Sequence, residues 1–283
     1  MLERPIPIVP TLRGKTVVNL FFEPSTRTST SFAIAAKRLS CDVVNFSRVA
    51  SSVQKGETLL DTTRNIEAMR VDGVIIRHSC PGAARFLAKR INAFVINAGD
   101  GAHEHPTQAL LDAFTLLQKI KTLEKKKILI LGDIAHSRVA RSDIWIFKKL
   151  GAEVSVCGPP TLIPPYIEEE MKVKVYFDLD KALPGMDVIN VLRLQLERQK
   201  RGVFPSLREY RRFYCLTEER LKKAKKDVII MHPGPLNRGI EIHPDVADGK
   251  RSVILHQVRA GVAVRMAILF LLAGGKIEKE KRE

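Results

Sequence analysis

Residues 15–32 read KTVVNLFFEPSTRTSTSF, which combines a strand, a turn and the start of a helix. The β-branched and apolar run before the proline is typical of a strand buried on both faces. From Phe32 onward, apolar residues recur at helical spacing. The helix start offers N–H groups, hydroxyls and Arg27, which together favour binding of a phosphate or a carboxylate. Taken alone, the stretch leaves open a capped helix whose arginine points into solvent.

The composition of the 283-residue chain suits two domains of ordinary size or one large α/β unit. Hydrophobic residues make up 45% of the chain, which is enough to bury a real core. The formal net charge of +16 is compatible with nucleic acid, an anionic surface or small anionic substrates as partners. Because only 6% of residues are aromatic, we favour a solvated basic surface over a nucleic-acid interface.

The four cysteines lie far apart and form no C-x-x-C pair, so the sequence predicts neither a zinc site nor a disulfide framework. The N-terminus lacks the order of a secretion signal, and we expect a cytoplasmic protein. The most membrane-like segment, Val262–Ala273, is too short to cross roughly 30 Å of hydrocarbon and contains Arg265. We interpret it as part of a core-packed helix, expected at about Ala260–Ala273.

Strands and helices are predicted to alternate through the first part of the chain. The predicted strands are Cys41–Phe46, Val71–Ile76 and Phe94–Asn97, and a helix is predicted at Thr58–Met69. The polar segment Ser47–Glu57 is a candidate lid or contact with a neighbouring subunit. Arg77 follows a strand, at the end where ligands of parallel sheets gather.

The motif HPTQ places His105 and Gln108 three residues apart at the start of a predicted helix, Pro106–Ile120. An imidazole and a primary amide that project together can donate hydrogen bonds to one polarised oxygen. For an isolated motif, a His105 that merely caps the helix is the simpler interpretation.

A second α/β unit is predicted after the charged junction Lys121–Lys127. Its first elements are a strand at Lys127–Leu131, a helix at Val139–Leu150 and a strand at Glu153–Cys157. A dinucleotide site needs G-x-G-x-x-G after the first strand, and only Gly132 stands there, so a nicotinamide cofactor is not expected. Arg138 lies at the strand-to-helix turn.

Two later strands also end in polar residues. Strand Asp187–Leu192 leads to Arg193 and Gln195, followed by a basic stretch through Arg212 that we predict to be a long loop. Strand Asp227–Met231 leads to the sequence HPGP at positions 232–235. Its prolines fix a turn that exposes carbonyls to an ammonium or amine. Alone, this motif is equally a plain structural turn.

The cationic side chains that follow strands or lie in loops are Arg27, Lys55, Arg77, Arg138 and Arg193. The sequence offers neither a Ser-His-Asp triad nor paired carboxylates. This set suits a site that binds several negative charges and polarises a carbonyl group.

The stretches FFEPSTRT, SSVQKGET, RH, NAGDG, HPTQALLD, GDIAHSRVARS, RLQLERQ and HPGPLNRG, in this order, resemble aspartate carbamoyltransferase catalytic chains. The resemblance implies an α/β fold of two doubly wound domains with parallel sheets, and a C-terminal helix that returns to the first domain. It implies a carbamoyl phosphate-binding domain at residues 1–120, an aspartate-binding domain at 121–257 and the C-terminal helix at 258–283. The implied activity is carbamoyl transfer from carbamoyl phosphate to L-aspartate in de novo pyrimidine biosynthesis, without a metal or organic cofactor.

The resemblance also implies roles for individual residues. The positions that match phosphate-binding residues are Ser25, Thr26, Arg27 and Thr28. Those that match residues around the carbamoyl group are Thr28, Arg77, His105 and Gln108, with the first three on the carbonyl oxygen. Those that match aspartate-binding residues are Lys55, Arg138, Arg193 and Gln195, and the carbonyls of Pro233 and Gly234 would orient substrate amino groups. Ser51 and Lys55 match residues that come from an adjacent subunit, which implies a homotrimer with shared sites. The implied catalytic set is Arg27, Thr28, Lys55, Arg77 and His105.

The sequence departs from the family pattern at two positions on one helix. Ser29 and Ala33 stand where the family commonly has arginine and glutamate, so an i,i+4 ion pair is missing as a unit, which we interpret as a subfamily difference. Family chains also usually carry a helix before the first strand, where this sequence has Met1–Gly14.

Two other functions would require different sequence features. Ornithine carbamoyltransferases tend to have lysine where Glu23 stands and an H-C-L-P turn in place of HPGP, and two arginines suit a dicarboxylate better than a cationic amine. A non-catalytic, basic nucleic-acid-binding protein is the rival from another class, disfavoured by the complete motif set. We expect no nucleic-acid or membrane partner, and the sequence leaves open whether regulatory or dihydroorotase chains bind.

Overall fold

The computed structural model describes residues 7–47, 57–196 and 206–274. The chain divides into two compact units, the first formed by Met1–Thr107 with Gly261–Glu283 and the second by Gln108–Ala260. Each unit has a parallel β-sheet. The domain limits at residues 120 and 257 that we derived from the sequence stay predictions. Ser51 and Lys55 lie outside the described residues.

The first unit contains a four-stranded parallel sheet of order β2-β1-β3-β4 in its described residues. Its strands are β1 (Thr16–Phe21), β2 (Asp42–Ser47), β3 (Gly73–His78) and β4 (Phe94–Asp100). Its helices are α1 (Thr26–Arg38), α2 (Leu59–Ala68) and α3 (Ala83–Ala88), after a 3-10 turn at Pro10–Leu12.

Helices cover both faces of this sheet, as its near-continuous apolar strands require. Val17 and Ile75 face one core, which includes Phe32 of α1. Val18 and Val74, one residue along each strand, face a second core with helices α2 and α3. The alternation follows from the two-residue period of a strand. The unit is therefore doubly wound, as predicted.

The second unit contains a five-stranded parallel sheet of order β7-β6-β5-β8-β9 in its described residues. The strands are β5 (Lys127–Leu131), β6 (Glu153–Cys157), β7 (Lys174–Tyr176), β8 (Val188–Val191) and β9 (Ile229–Met231). Helix α4 spans Pro106–Ile120, and the later helices are α5 (Arg138–Lys149), α6 (Ile167–Met171), α7 (Leu179–Ala182), α8 (Leu207–Tyr214), α9 (Glu218–Leu221) and α10 (Pro244–Ala247). Helix α11 (Ile254–Leu272) begins in this unit and continues into the first. Ile128 and Leu129 belong to cores on opposite faces, so this sheet is also covered twice.

Part of the basic stretch that we predicted to be a loop is helical. Helix α8 begins after Ser206, whose hydroxyl accepts a hydrogen bond from the Glu209 N–H at 3.1 Å. Serine followed three residues later by glutamate is the capping-box pattern, which is a signal that the sequence contained. The loop prediction was therefore wrong for the part of the stretch that lies within α8.

The C-terminal helix begins earlier than predicted. Helix α11 has 19 residues and a mean hydropathy of 1.5, so it is long and apolar enough to cross a membrane by length and composition alone. The segment Val262–Ala273 therefore covers only the second part of a longer helix, and the predicted start at about Ala260 was wrong. Met266 and Leu269 nevertheless pack in the core of the first unit, and buried Arg265 donates to Ser31 Oγ at 2.9 Å. The prediction that this helix returns to the first domain is confirmed.

Candidate functional site

The first unit has its topological switch point between β1 and β3. The chain leaves β1 for β2 on one side of the sheet and returns to β3 on the other. At such a point the loops that follow the two strands diverge and leave a crevice at their carboxyl ends, where ligands of open α/β sheets bind. The loop after β1 leads to Ser25 and Arg27, and β3 ends with Arg77 and His78.

The turn after β1 places the start of α1 at this edge of the sheet. Ser25 precedes the helix, and the first hydrogen bond of the helical ladder runs from the Ser29 N–H to the Ser25 carbonyl at 3.1 Å. The amides of the preceding turn therefore point out of the helix end, where its positive dipole also lies. Thr28 is buried there, whereas Arg27 is exposed at the same end. The first turn of α1 has the features of an anion site.

Arg77 is anchored beside that helix start. The Phe22 N–H donates to the Arg77 carbonyl at 2.9 Å, which holds the end of β3 against the segment that leads into α1. The guanidinium donates to the Ala98 carbonyl at 3.4 Å, and its Nε lies 3.7 Å from Glu23 Oε2. The ion pair gives Glu23 a neighbour that the sequence analysis did not predict.

His105 reaches the same edge by way of β4, the neighbour of β3. Buried Asp100 ends this strand and accepts hydrogen bonds from the Glu104 N–H at 3.0 Å and from the Gly82 N–H at 2.7 Å. The carboxylate thereby fixes the turn between β4 and α4. His105, only 4% exposed, lies directly after this turn.

The second unit repeats the arrangement, with its switch point between β5 and β8. Asp133 follows β5 and is fully buried. Its carboxylate accepts the Gln195 N–H at 3.3 Å and lies 2.8 Å from His136 Nδ1. Gln195 Nε2 in turn donates to the His136 carbonyl at 3.0 Å. The loops after β5 and β8 are thus joined by the buried Asp133 carboxylate.

These two loops carry the arginines that were predicted for this unit. Ser137 caps α5 by accepting the Ala140 N–H at 3.2 Å, and Arg138 is the first residue of that helix, buried to 4% exposure. Arg193 follows β8 and is half-buried. Gly132 has a φ of +127°, and a Cβ there would lie 3.0 Å from the Leu192 carbonyl, so the approach of the two loops requires glycine.

The HPGP turn follows β9, next to β8. His232 is buried, and its Nδ1 accepts the Gly234 N–H at 2.8 Å, which leaves Nε2, 3.3 Å from Glu241 Oε1, as the ring nitrogen that carries hydrogen. Further along, Asn237 Nδ2 donates to the Leu194 carbonyl at 3.1 Å. The turn is therefore tied to the segment that contains Arg193.

Tyr210 of α8 packs in a hydrophobic cluster with Leu194, in the loop after β8. Burial, followed by the negative charges of Glu241 and Asp133, raises the pKa of the Tyr210 hydroxyl well above its ordinary value. The phenol therefore stays neutral at physiological pH.

The structure places each described candidate at the carboxyl edge of a sheet or at a helix start. The first unit holds Ser25, Thr26, Arg27, Thr28, Arg77 and His105; the second holds Gln108, Arg138, Arg193, Gln195, Pro233 and Gly234. Within residues 7–47, 57–196 and 206–274, no group of three or more His, Cys, Asp or Glu side chains is arranged to hold a metal ion.

Ser29 and Ala33, the two departures from the family pattern, lie beside a cavity on the surface of α1. Ser29 Oγ donates to the Ser25 carbonyl at 2.8 Å, within its own helix. Together with Ala33 it helps to line a surface cavity of about 260 Å³. The cavity does not include Arg27 or Arg77, so it is separate from the anion site.

The sequence analysis did not identify the buried carboxylates that hold these loops in place by hydrogen bonds. Asp100 and Asp133 each end or follow a strand within a motif that was singled out, and an aspartate before a turn is a known sign of side-chain hydrogen bonds to nearby N–H groups. Glu241, which lies 3.3 Å from His232 Nε2, gave no comparable local signal.

Two family models match the chain in succession. The model described as the carbamoyl phosphate-binding domain of aspartate/ornithine carbamoyltransferases matches residues 3–118. The model described as the aspartate/ornithine-binding domain of the same family matches residues 124–272.

Individual proteins show the same similarity. The chain is 63% identical over 280 residues to the aspartate carbamoyltransferase catalytic subunit of Halothermothrix orenii, covering 99% of this chain and 89% of the relative. The corresponding subunit of Gemmatimonas aurantiaca is 61% identical, with 98% and 86% covered.

Solved structures of carbamoyltransferases are also similar to this chain. A Trypanosoma cruzi aspartate transcarbamoylase, in complex with N-(phosphonacetyl)-L-aspartic acid, superimposes with a TM-score of 0.83 at 32% identity, covering 93% of this chain and 85% of the other. Ornithine carbamoyltransferase from Pyrococcus furiosus has the same TM-score at 29% identity, with 95% and 88% covered.

Proposed function

The chain belongs to the aspartate/ornithine carbamoyltransferase family, and from that membership we propose a role for each of its site residues. Its activity is the transfer of the carbamoyl group of carbamoyl phosphate to the amine of L-aspartate, giving N-carbamoyl-L-aspartate and phosphate. One observation supports the assignment of the residues most strongly. In the described part of each unit, the candidate arginines flank the topological switch point of a parallel sheet.

The phosphate is proposed to bind at the start of α1. The helix amides, the hydroxyls and the guanidinium there are all donors to an anion. A charge-assisted hydrogen bond of this kind contributes roughly 1.5–3 kcal/mol. The residues of this subsite are Ser25, Thr26, Arg27 and Thr28.

Arg77, His105 and Thr28 are proposed to donate to the carbonyl oxygen of the carbamoyl group, and Gln108 is proposed to contact the same group. Attack by the amine builds negative charge on this oxygen, and donors that are already oriented stabilise it without reorganisation. The anchoring of Arg77 at the end of β3 and the burial of His105 after its fixed turn provide that preorganisation.

L-Aspartate is proposed to bind at the edge of the second unit. Its two carboxylates suit Arg138 and Arg193, and Gln195 is held by hydrogen bonds to the loop after β5. The carbonyls of Pro233 and Gly234 would accept from substrate amino groups. Binding both substrates together adds the advantage of proximity.

In the proposed reaction the amine nitrogen attacks the carbamoyl carbon, and the bond between that carbon and the phosphate oxygen breaks. Phosphate leaves and accepts the proton that the amine loses. None of the residues assigned here has to take up that proton.

The assembly and setting of the enzyme are part of the proposal. Ser51 and Lys55, which lie outside the described residues, would be supplied by an adjacent subunit of a homotrimer, with Lys55 near both substrates. We propose a cytoplasmic enzyme of de novo pyrimidine biosynthesis that acts without a cofactor and has no nucleic-acid or membrane partner.

One assay separates the aspartate reaction from its rivals. Purified protein is incubated with carbamoyl phosphate and either L-aspartate or L-ornithine, and the carbamoylated product is measured. We expect N-carbamoyl-L-aspartate alone. Product from ornithine only would contradict the proposal, whereas no product together with salt-dependent DNA binding would favour the nucleic-acid-binding alternative.

A further inference from the structure

A chain of buried side chains in the second unit connects Gln108 to the HPGP turn. Gln257 Nε2 donates to Asp112 Oδ1 at 2.7 Å, and Gln257 Oε1 accepts the His232 N–H at 3.0 Å. Asp112 is fully buried, and Gln257 and His232 are 3% and 1% exposed. One amide therefore spans the space between α4 and the end of β9 with a hydrogen bond at each end.

Asp112 also fixes the orientation of Gln108. Gln108 Nε2 donates to both oxygens of this carboxylate, at 3.0 and 3.2 Å. The reversed amide would set its oxygen against a carboxylate, which accepts but cannot donate when ionised. The Gln108 Oε1 atom is consequently directed away from Asp112 and is available to accept a hydrogen bond. The sequence analysis had expected Gln108 to act as a donor.

The same network fixes the backbone on either side of Pro233. The preceding residue, His232, is held through its N–H by Gln257, and the following residue, Gly234, donates its N–H to the His232 ring. The Pro233 carbonyl thus belongs to a turn with little freedom. A single carboxylate, Asp112, is connected to both candidate acceptors.

Two hydrogen-bond acceptors in fixed positions suit the amino group of carbamoyl phosphate. The amino group of carbamoyl phosphate carries two N–H donors, whereas the methyl group of acetyl phosphate carries none. A site that is built to pair with a substrate N–H disfavours an analogue that lacks it, because Gln108 Oε1 then gains no hydrogen bond from the substrate.

We propose that Asp112 and Gln257 are positioning residues that aim Gln108 Oε1 and the Pro233 carbonyl at the carbamoyl amino group, and thereby select carbamoyl phosphate over acetyl phosphate. This inference rests on the proposed function of the site. Neither residue touches substrate; both act through the acceptors that they hold.

The test compares the two donors in one variant. Gln257→Met keeps the length of the side chain and removes both hydrogen bonds. We expect kcat/KM for carbamoyl phosphate to fall about tenfold, as for loss of a well-placed hydrogen bond, and kcat/KM for acetyl phosphate to change less than about twofold. The reaction with acetyl phosphate is followed as N-acetyl-L-aspartate and phosphate, the amine proton again leaving with phosphate.

A matched control removes an equivalent bond elsewhere in the unit. Asn190 Nδ2 donates to Asp143 Oδ2 at 2.6 Å, and both residues are fully buried. Asn190→Leu should lower stability while leaving the ratio of the two kcat/KM values unchanged. An equal fall with both donors in Gln257→Met, as a purely structural role predicts, would overturn the inference.

Asp112→Asn covers the case in which Gln257→Met does not fold. The asparagine oxygen can take the place of Asp112 Oδ1, which already accepts from both glutamine amides, but its NH2 group then stands where Oδ2 accepts from Gln108 Nε2 at 3.2 Å. Two donors then face each other, which favours the reversed Gln108 amide with Nε2 in the place of Oε1, and the ratio should again fall. A folded Asp112→Asn protein with the wild-type ratio would contradict the inference. Wild-type protein that fails to carbamoylate aspartate would instead refute the proposed function.

Discussion

Arg27 shows how one side chain gains its function from its place on an element. The residue lies in the first turn of α1, where the helix amides and the dipole already favour an anion. A guanidinium can make two parallel hydrogen bonds to a phosphate, and its charge does not depend on pH in the physiological range. Removing it should weaken the hold on phosphate both in the bound substrate and in the leaving group.

We expect Arg27→Ala to abolish measurable turnover, with kcat/KM at least about a hundredfold lower, because charge-assisted hydrogen bonds to the phosphate are lost. Carbamoyl aspartate formation measures the effect, and circular dichroism checks the fold. Arg64→Ala, at an exposed position on α2, serves as the control and should retain wild-type activity. A near-normal rate in Arg27→Ala would mean that the anion site is assigned wrongly.

In both sheets, an aspartate paired with a lysine holds the start of a central strand. Asp72, just before β3, accepts the Thr16 N–H at 2.8 Å and pairs with Lys15 Nζ at 2.7 Å. Asp187, just before β8, accepts the Lys127 N–H at 2.9 Å and pairs with Lys225 Nζ at 2.7 Å. In both units the carboxylate fixes the first residue of the strand that leads to the switch point.

The protonation of these two acids should affect stability in acid. Burial alone would raise the pKa of each carboxyl, but the hydrogen bonds from lysine and backbone N–H lower the pKa of Asp72 and Asp187 below 3.8. The stabilisation is therefore complete above pH 3.8 and is lost as the pH falls through the lower pKa of the folded state.

We expect Asp187→Asn to lower the free energy of unfolding at pH 7 by about 1–2 kcal/mol, and this difference from wild type to shrink as the pH falls below 4. Urea unfolding at several pH values measures it. Asp42→Asn, at an exposed strand start, is the control and should change stability little at any pH. A difference between Asp187→Asn and wild type that is constant with pH would contradict the assigned cause.

The elements that the sequence predicted well are those with a clear hydrophobic period and a capping or turn signal. Helix α4 and strands β5 and β6 have the predicted limits, because a buried strand or an amphipathic helix repeats its apolar residues over its whole length. Short elements such as α3 and β7 lack enough residues to show a period, so the sequence analysis did not find them. Helix α11 is apolar on nearly all sides, and its start at Ile254 could not be recognised from an amphipathic pattern.

At the scale of the whole molecule, local motifs located the cationic residues but not the acids that orient them. Arg77 and Arg193 could be predicted because each lies at the end of a strand. The hydrogen bond between Asp112 and Gln257 joins residues 145 positions apart, and no local sequence pattern predicts such a pair. Tertiary structure was needed to show that buried carboxylates organise the candidate site.

The proposed sharing of sites between subunits leads to a prediction for mixed assemblies. Lys55→Ala and His105→Ala should each be inactive alone, since every site then lacks one group. In randomly mixed trimers, each assembly that contains both kinds of chain has one site with both groups intact, so about a quarter of wild-type activity should return. Mixing His105→Ala with Arg27→Ala is the control and should restore nothing, because both groups are proposed to come from the same chain. The measurement is carbamoyl aspartate formation after the two variants are unfolded together and refolded, and activity that stays at the level of the separate variants would contradict shared sites.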